Sequence, residues 1–148
     1  MHVSPAWTVV NSRGQRYANR YTAAVAATVL IVDDEKEIRE LLRYNLERQG
    51  YNVLTAHDGE EGLARAFATH PDLILLDLHL PGCPGEEVLA QIRLDAELAP
   101  TPVVIVTADL APGTERRLMQ GGATAFLSKP VDIGLVLSLV DRTVRQRA

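Results

Sequence analysis

Residues 28–35 read TVLIVDDE, and the reading of this stretch decides the fold. Thr28–Val32 is a short, β-branched apolar run, the composition of a strand covered on both faces. It stops without a spacer at Asp33, Asp34 and Glu35. From Glu35 to Gln49, the residues Ile38, Leu41, Leu42 and Leu46 recur at helical spacing, and Gly50 supplies a stop signal. A buried strand thus feeds an amphipathic helix through a pair of aspartates.

The same alternation continues outward from this unit. Tyr51–Ala56 reads as a strand, and Gly59–Thr69 as a helix with Leu63, Ala66 and Phe67 inward. Leu73–Leu76 is a fully apolar strand, and Glu86–Leu94 is helical through Val88, Leu89 and Ile92. Val103–Val106 is a second fully apolar strand, its approach held extended by Pro100 and Pro102. Pro112–Met119 is a short helix closed by Gly121 and Gly122, and Ala125–Ser128 is a short strand. Ile133–Arg145 is the last helix, with Leu135, Val136, Leu139 and Val140 on one face. Arg142, Arg145 and Arg147 stand at its C-terminal end, where positive charge suits the macrodipole. Five βα units in about 120 residues predict an α/β fold, a flavodoxin-like (βα)5 doubly wound parallel sheet with strand order 2-1-3-4-5.

Composition sets the outer limits. A chain of 148 residues with 47% hydrophobic and 23% charged residues fits one globular domain. The net charge of −4 argues against a surface built for nucleic acid or an anionic membrane. Cys83 is the one cysteine, which excludes an internal disulfide and suits a reducing, cytoplasmic compartment. Residues 1–27 carry three arginines and no acidic residue, whereas the rest carries 12 basic against 19 acidic residues. Residues 1–25 are therefore expected to be an appended and mobile arm, and residues 26–148 the folded domain. Ala23–Val32, preceded by Arg13, Arg16 and Arg20, imitates a signal peptide. It is too short to span a bilayer and runs straight into acidic residues without a cleavage site, so a buried strand accounts for it better.

In such sheets ligands bind at the carboxyl ends of the strands. Those ends carry Asp33 and Asp34, Asp77, Thr107 and Lys129. Three carboxylates at close quarters repel one another, and a hard divalent cation such as Mg²⁺ resolves the repulsion. Adding an ammonium and a hydroxyl makes a site for the oxygens of a phosphoryl group.

Asp33-Asp34, Asp77, Thr107-Ala108 and Lys129-Pro130, in this order and at these strand ends, resemble a receiver domain of two-component response regulators over roughly residues 28–146. The resemblance implies that Asp77 is the phosphoacceptor for a phosphohistidine on a sensor histidine kinase or a histidine phosphotransfer protein. It implies Mg²⁺ held by Asp34, by Asp33 mostly through water, by Asp77 and by the backbone carbonyl of His79. Lys129 would pair with a phosphoryl oxygen, Thr107 would move to bond another, and Phe126 would turn inward behind it. Pro130 would follow a cis peptide bond, and Ala108 would leave space for the phosphoryl group. The readout would be the face of the fourth helix, fifth strand and fifth helix. With only about two residues after the last helix, a free-standing receiver is expected. Its output then runs through a partner protein or through onward transfer in a relay.

Some residues depart from that pattern. His79, Cys83, Pro84 and Val131 stand where other types are common, and Pro81 and Pro84 stiffen the loop after Asp77. The His79 imidazole is expected to face solvent, with tuning of water access as the alternative role; Asp109 is a second candidate for influencing dephosphorylation. A redox role for Cys83 lacks the neighbouring basic residues that would activate the thiol. Rival functions fare worse. No G-x-x-x-x-G-K-[ST] or G-x-G-x-x-G is present. An aspartate-nucleophile phosphohydrolase would need a second Asp two residues after the nucleophile, where His79 stands, and its nucleophile on the first strand. A docking module that works without phosphorylation remains the alternative from a different class.

Overall fold

The structure is a computed structural model and describes residues 8–10, 13, 16–18 and 26–147. Its strands are β1 (Thr8–Val10), β2 (Arg16–Ala18), β3 (Thr28–Val32), β4 (Asn52–Ala56), β5 (Leu73–Leu76), β6 (Val103–Thr107) and β7 (Ala125–Ser128). Its helices are α1 (Lys36–Arg48), α2 (Gly59–Thr69), α3 (Gly85–Leu94), α4 (Thr114–Gln120) and α5 (Ile133–Arg147). Strands β4-β3-β5-β6-β7 form one sheet in that order, and every neighbouring pair is parallel. Counted from β3, this is the expected order 2-1-3-4-5.

The two faces of the sheet hold two apolar layers. Leu30, Val32, Ile74, Leu76, Val103 and Ile105 pack with Ala66, Val88, Leu89 and Ile92 of α2 and α3. Val29, Ile31, Leu73, Leu75, Val104 and Val106 pack with Leu42, Leu46, Val136 and Val140 of α1 and α5. Alternate residues of each strand serve opposite layers, so a strand covered on both sides is apolar except at its ends, as at Thr28 and Thr107.

Three apolar residues read as inward lie elsewhere. Leu41, Phe67 and Leu135 are exposed, on the outer flanks of α1, α2 and α5. Each sits beside a buried stripe, and a 3.6-residue period leaves the stripe's edge ambiguous. The arm expected over residues 1–25 lies largely outside the described residues. Within it, β1 and β2 pair antiparallel with Val9 opposite Tyr17, an element without a signal in the sequence pattern.

Local chemistry sets the helix starts near the strand ends. Asp58 caps α2 by accepting the Glu61 N–H at 2.7 Å. Pro84 precedes α3, and Gly85 begins it directly against the end of β5. The Lys129–Pro130 peptide bond is cis.

Candidate functional site

Parallel register brings the carboxyl ends of β3, β5 and β7 to one edge of the sheet. Asp33 directly follows β3 and is only 3% exposed; Asp77 directly follows β5 and is 5% exposed. Backbone bonds fix both residues. The Asp33 N–H donates to Ala56 O at 3.1 Å, and the Asp77 N–H donates to Val32 O at 3.0 Å. Asp77 Oδ1 accepts the Leu78 N–H at 2.7 Å, which leaves Oδ2 turned to the pocket.

Lys129 enters from β7, anchored by its N–H to Thr107 O at 2.9 Å. Its Nζ lies 2.8 Å from Glu35 Oε1, 2.9 Å from Asp33 Oδ2 and 3.2 Å from Asp77 Oδ2. Burial alone would lower the affinity of this amine for its proton. The bonds to Glu35 and Asp33 and the charges of Asp33 and Asp77 outweigh burial and hold it above its ordinary range. Burial pushes the Asp33 carboxyl above its usual range and the Asp77 charge adds to this, against the opposing bonds from Lys129 and the Glu35 N–H.

Carboxylate oxygens of Asp33, Asp34, Glu35 and Asp77 all lie within 4.8 Å of one another. Four carboxylates around one ammonium leave the cluster strongly negative, and every donor is a hard oxygen. That donor set fits Mg²⁺. Asp33, Asp34, Asp77 and Lys129 are thus brought together as the strand ends predict. Glu35 joins them unannounced: it reads as the first helical residue, and nothing local signals that its side chain reaches back to Lys129. Nor does Asp33 cap the helix. Glu35 is the N-cap, without a side-chain cap bond, and Asp33 Oδ1 accepts the Glu35 N–H at 2.8 Å.

The other candidates stand around this cluster. Thr107 is fully buried, and its hydroxyl accepts the Asp109 N–H at 3.2 Å; no described hydrogen bond joins that hydroxyl to Asp77 or to the Lys129 side chain. Phe126 is partly buried and lines two surface clefts, one with Asp109, Leu110 and Arg116, the other with Pro130, Val131 and Leu135. The His79 N–H points to Asp77 Oδ1 at 3.4 Å, and its exposed imidazole carries Nε2 3.1 Å from Asp109 Oδ2. The Ala111 N–H, joined by His79 and Arg117, holds Asp109 below the usual carboxylate range. Burial and the carboxylates of Glu87 and Glu60 raise the Cys83 thiol, the opposite of activation. Among the described residues no helix is long and apolar enough to cross a membrane.

The comparisons with known proteins agree with this arrangement. The family model for the response regulator receiver domain matches residues 29–141. The chain is 41% identical over 106 residues to the polar-differentiation response regulator DivK of Brucella ovis, covering 72% of this chain and 86% of that protein. It is 43% identical over 102 residues to the alkaline phosphatase synthesis transcriptional regulatory protein PhoP of Bacillus subtilis, covering 69% of this chain and 42% of that one. Among solved structures, the chemotaxis response regulator CheY4 of Vibrio cholerae superposes with a TM-score of 0.75 at 33% identity, over 80% of this chain and 99% of that one. With the fold, the acidic pocket and these relatives in agreement, the chain belongs to the response regulator receiver domain family of two-component signalling.

Proposed function

We propose that Asp77 accepts a phosphoryl group from a phosphohistidine on a partner, a sensor histidine kinase or a histidine phosphotransfer protein. The observation that carries this reading is the Lys129 ammonium 3.2 Å from Asp77 Oδ2, inside a pocket shared with Asp33 and Asp34. A carboxylate oxygen of Asp77 bonds to phosphorus as the phosphorus–nitrogen bond of the donor breaks. The imidazole nitrogen leaves with the electron pair. Such a transfer asks the protein mainly for positioning and countercharge.

Asp33, Asp34, Asp77 and the His79 carbonyl would hold Mg²⁺, which supplies positive charge to the phosphoryl oxygens when bound. Lys129 donates to one of those oxygens. The Thr107 hydroxyl leaves the Asp109 N–H for another, and Phe126 follows inward. The face of α4, β7 and α5 then changes for partner binding or onward transfer, a local charge event read by a two-state element. The working unit is residues 26–148, and residues 1–25 are not needed for phosphorylation. A cytoplasmic location suits a free thiol at Cys83.

Intact mass after incubation with acetyl phosphate tests the reading. One phosphate adduct that needs both Mg²⁺ and Asp77 is expected, and a chain beginning near Ala26 should form it equally. An adduct that persists in Asp77→Ala, or none in the folded native protein, would overturn it.

A further inference from the structure

Glu35 lies beside the acceptor site without a part in the transfer just described. Its Oε1 nevertheless makes the shortest contact to Lys129, at 2.8 Å. An ammonium has three hydrogens to donate. In the resting protein Nζ donates hydrogen bonds to Glu35 and Asp77 and forms a close ion pair with Asp33 at 2.9 Å, and the contact to Asp77 is the longest of the three. A phosphoryl oxygen on Asp77 would compete with these carboxylates for the ammonium.

The two neighbouring carboxylates do not release the ammonium equally. Asp33 is buried, so losing Lys129 would leave a desolvated charge with only the Glu35 N–H as partner. The Glu35 side chain is 55% exposed, and its Lys129 bond is its one described hydrogen bond to another side chain. Rotated outward, it is hydrated at once, and only an ion pair near the surface is lost.

We propose that Glu35 is a positioning residue that holds Lys129 in the resting protein and competes with the phosphoryl group for it. The inference rests on the reading of Asp77 as phosphoacceptor. Release of Glu35 is then part of every phosphorylation event. Neutralising it favours the phosphorylated state as long as Mg²⁺ is saturating.

The test uses the full chain as native protein, Glu35→Gln, Lys129→Gln and the double variant. Two quantities are read at saturating Mg²⁺: affinity for beryllofluoride, and the initial rate of adduct formation from acetyl phosphate, in which acetate leaves with the bonding electron pair. Glu35→Gln should bind beryllofluoride about 3- to 10-fold more tightly and react faster, the scale of one partly exposed ion pair. In the Lys129→Gln background the same change should have no effect, which separates competition for the lysine from a general loss of negative charge. Equal or weaker binding by Glu35→Gln would overturn the proposal, as would an equal gain without Lys129. A crystal structure of the beryllofluoride-bound native protein is the second measurement. There the Glu35–Lys129 contact should be broken, and its persistence would also overturn the proposal. Native protein that neither binds beryllofluoride nor forms an adduct would instead refute the acceptor reading itself.

Discussion

A Cβ placed on Gly85 would lie 2.0 Å from the carbonyl oxygen of Asp77 and 2.8 Å from Leu78 Cα. The first turn of α3 therefore lies directly against the backbone that carries Asp77, and the Gly85 N–H reinforces the contact by donating to Leu78 O at 2.9 Å. Both contacts are to main chain, which cannot swing aside as a flexible side chain does. Gly85→Ala should shift the end of β5 and lower unfolding free energy by about 2–4 kcal/mol. Urea unfolding measures the loss. Adduct formation from acetyl phosphate, compared under conditions where the variant is fully folded, should still be slower than in the native protein.

Among the described residues, Lys129 is the one cation touching three carboxylates, and two of those are buried. Lys129→Ala should cost about 2–4 kcal/mol in chelator, because it strands Asp33 and Asp77 without countercharge. On the reading of the acidic cluster as a metal site, Mg²⁺ should bind the folded chain alone and shrink that deficit by mass action. Thermal melts with and without Mg²⁺ check this. A deficit that ignores Mg²⁺ would count against the acidic cluster as a metal site.

Asp33 holds its proton more tightly in the folded chain than in the unfolded one, first because of burial. For a raised carboxyl, the stability contribution is fully present below the unfolded value of about 3.9 and is lost as pH rises through the folded value. Charged Asp33 is thus a liability at neutral pH when no metal is bound. Asp33→Asn should be more stable than native protein by about 1 kcal/mol near pH 7 in chelator, and the advantage should fade as pH falls toward about 3.9. Saturating Mg²⁺ should reduce or reverse the difference. Melting curves across pH, with chelator and with Mg²⁺, read each part.

Arg93 ties three segments together away from the site. Its Nε donates to Gly122 O at 2.9 Å, and one terminal nitrogen donates to Ala99 O at 3.1 Å and Thr101 O at 2.7 Å. The guanidinium thereby joins α3 to the strand approach before β6 and to the glycine turn after α4. Arg93→Lys keeps the charge but loses the planar fork, and should cost about 1–3 kcal/mol. Chemical denaturation measures it, with Arg93→Ala expected to lose at least as much.

The sheet was legible because its strands are buried on both faces. TVLIV at residues 28–32 and LILL at residues 73–76 need no distant information to read as parallel strands, and Thr28–Val32 and Leu73–Leu76 match the structure residue for residue. Strand ends in turn located Asp33, Asp77, Thr107 and Lys129. The flanks of the helices were harder. Leu41, Phe67 and Leu135 each adjoin a buried position, and how far the neighbouring element covers them depends on packing angles that no local pattern encodes. The β1–β2 pair was missed because three-residue strands are too short to show alternation.

Local sequence alone determined the βα order, the apolar strands and the acidic and basic residues standing at their ends, since period and burial leave a signature within a few residues. Only the tertiary structure decided which of those charges meet. Lys129 and Glu35 are 94 residues apart, yet their 2.8 Å contact exists because β7 and β3 end on the same edge of one sheet. The three-way sharing of one ammonium, the raised Asp33 carboxyl and the pressure of Gly85 on Asp77 all follow from that convergence. They depend on distance and desolvation, which chain order does not carry.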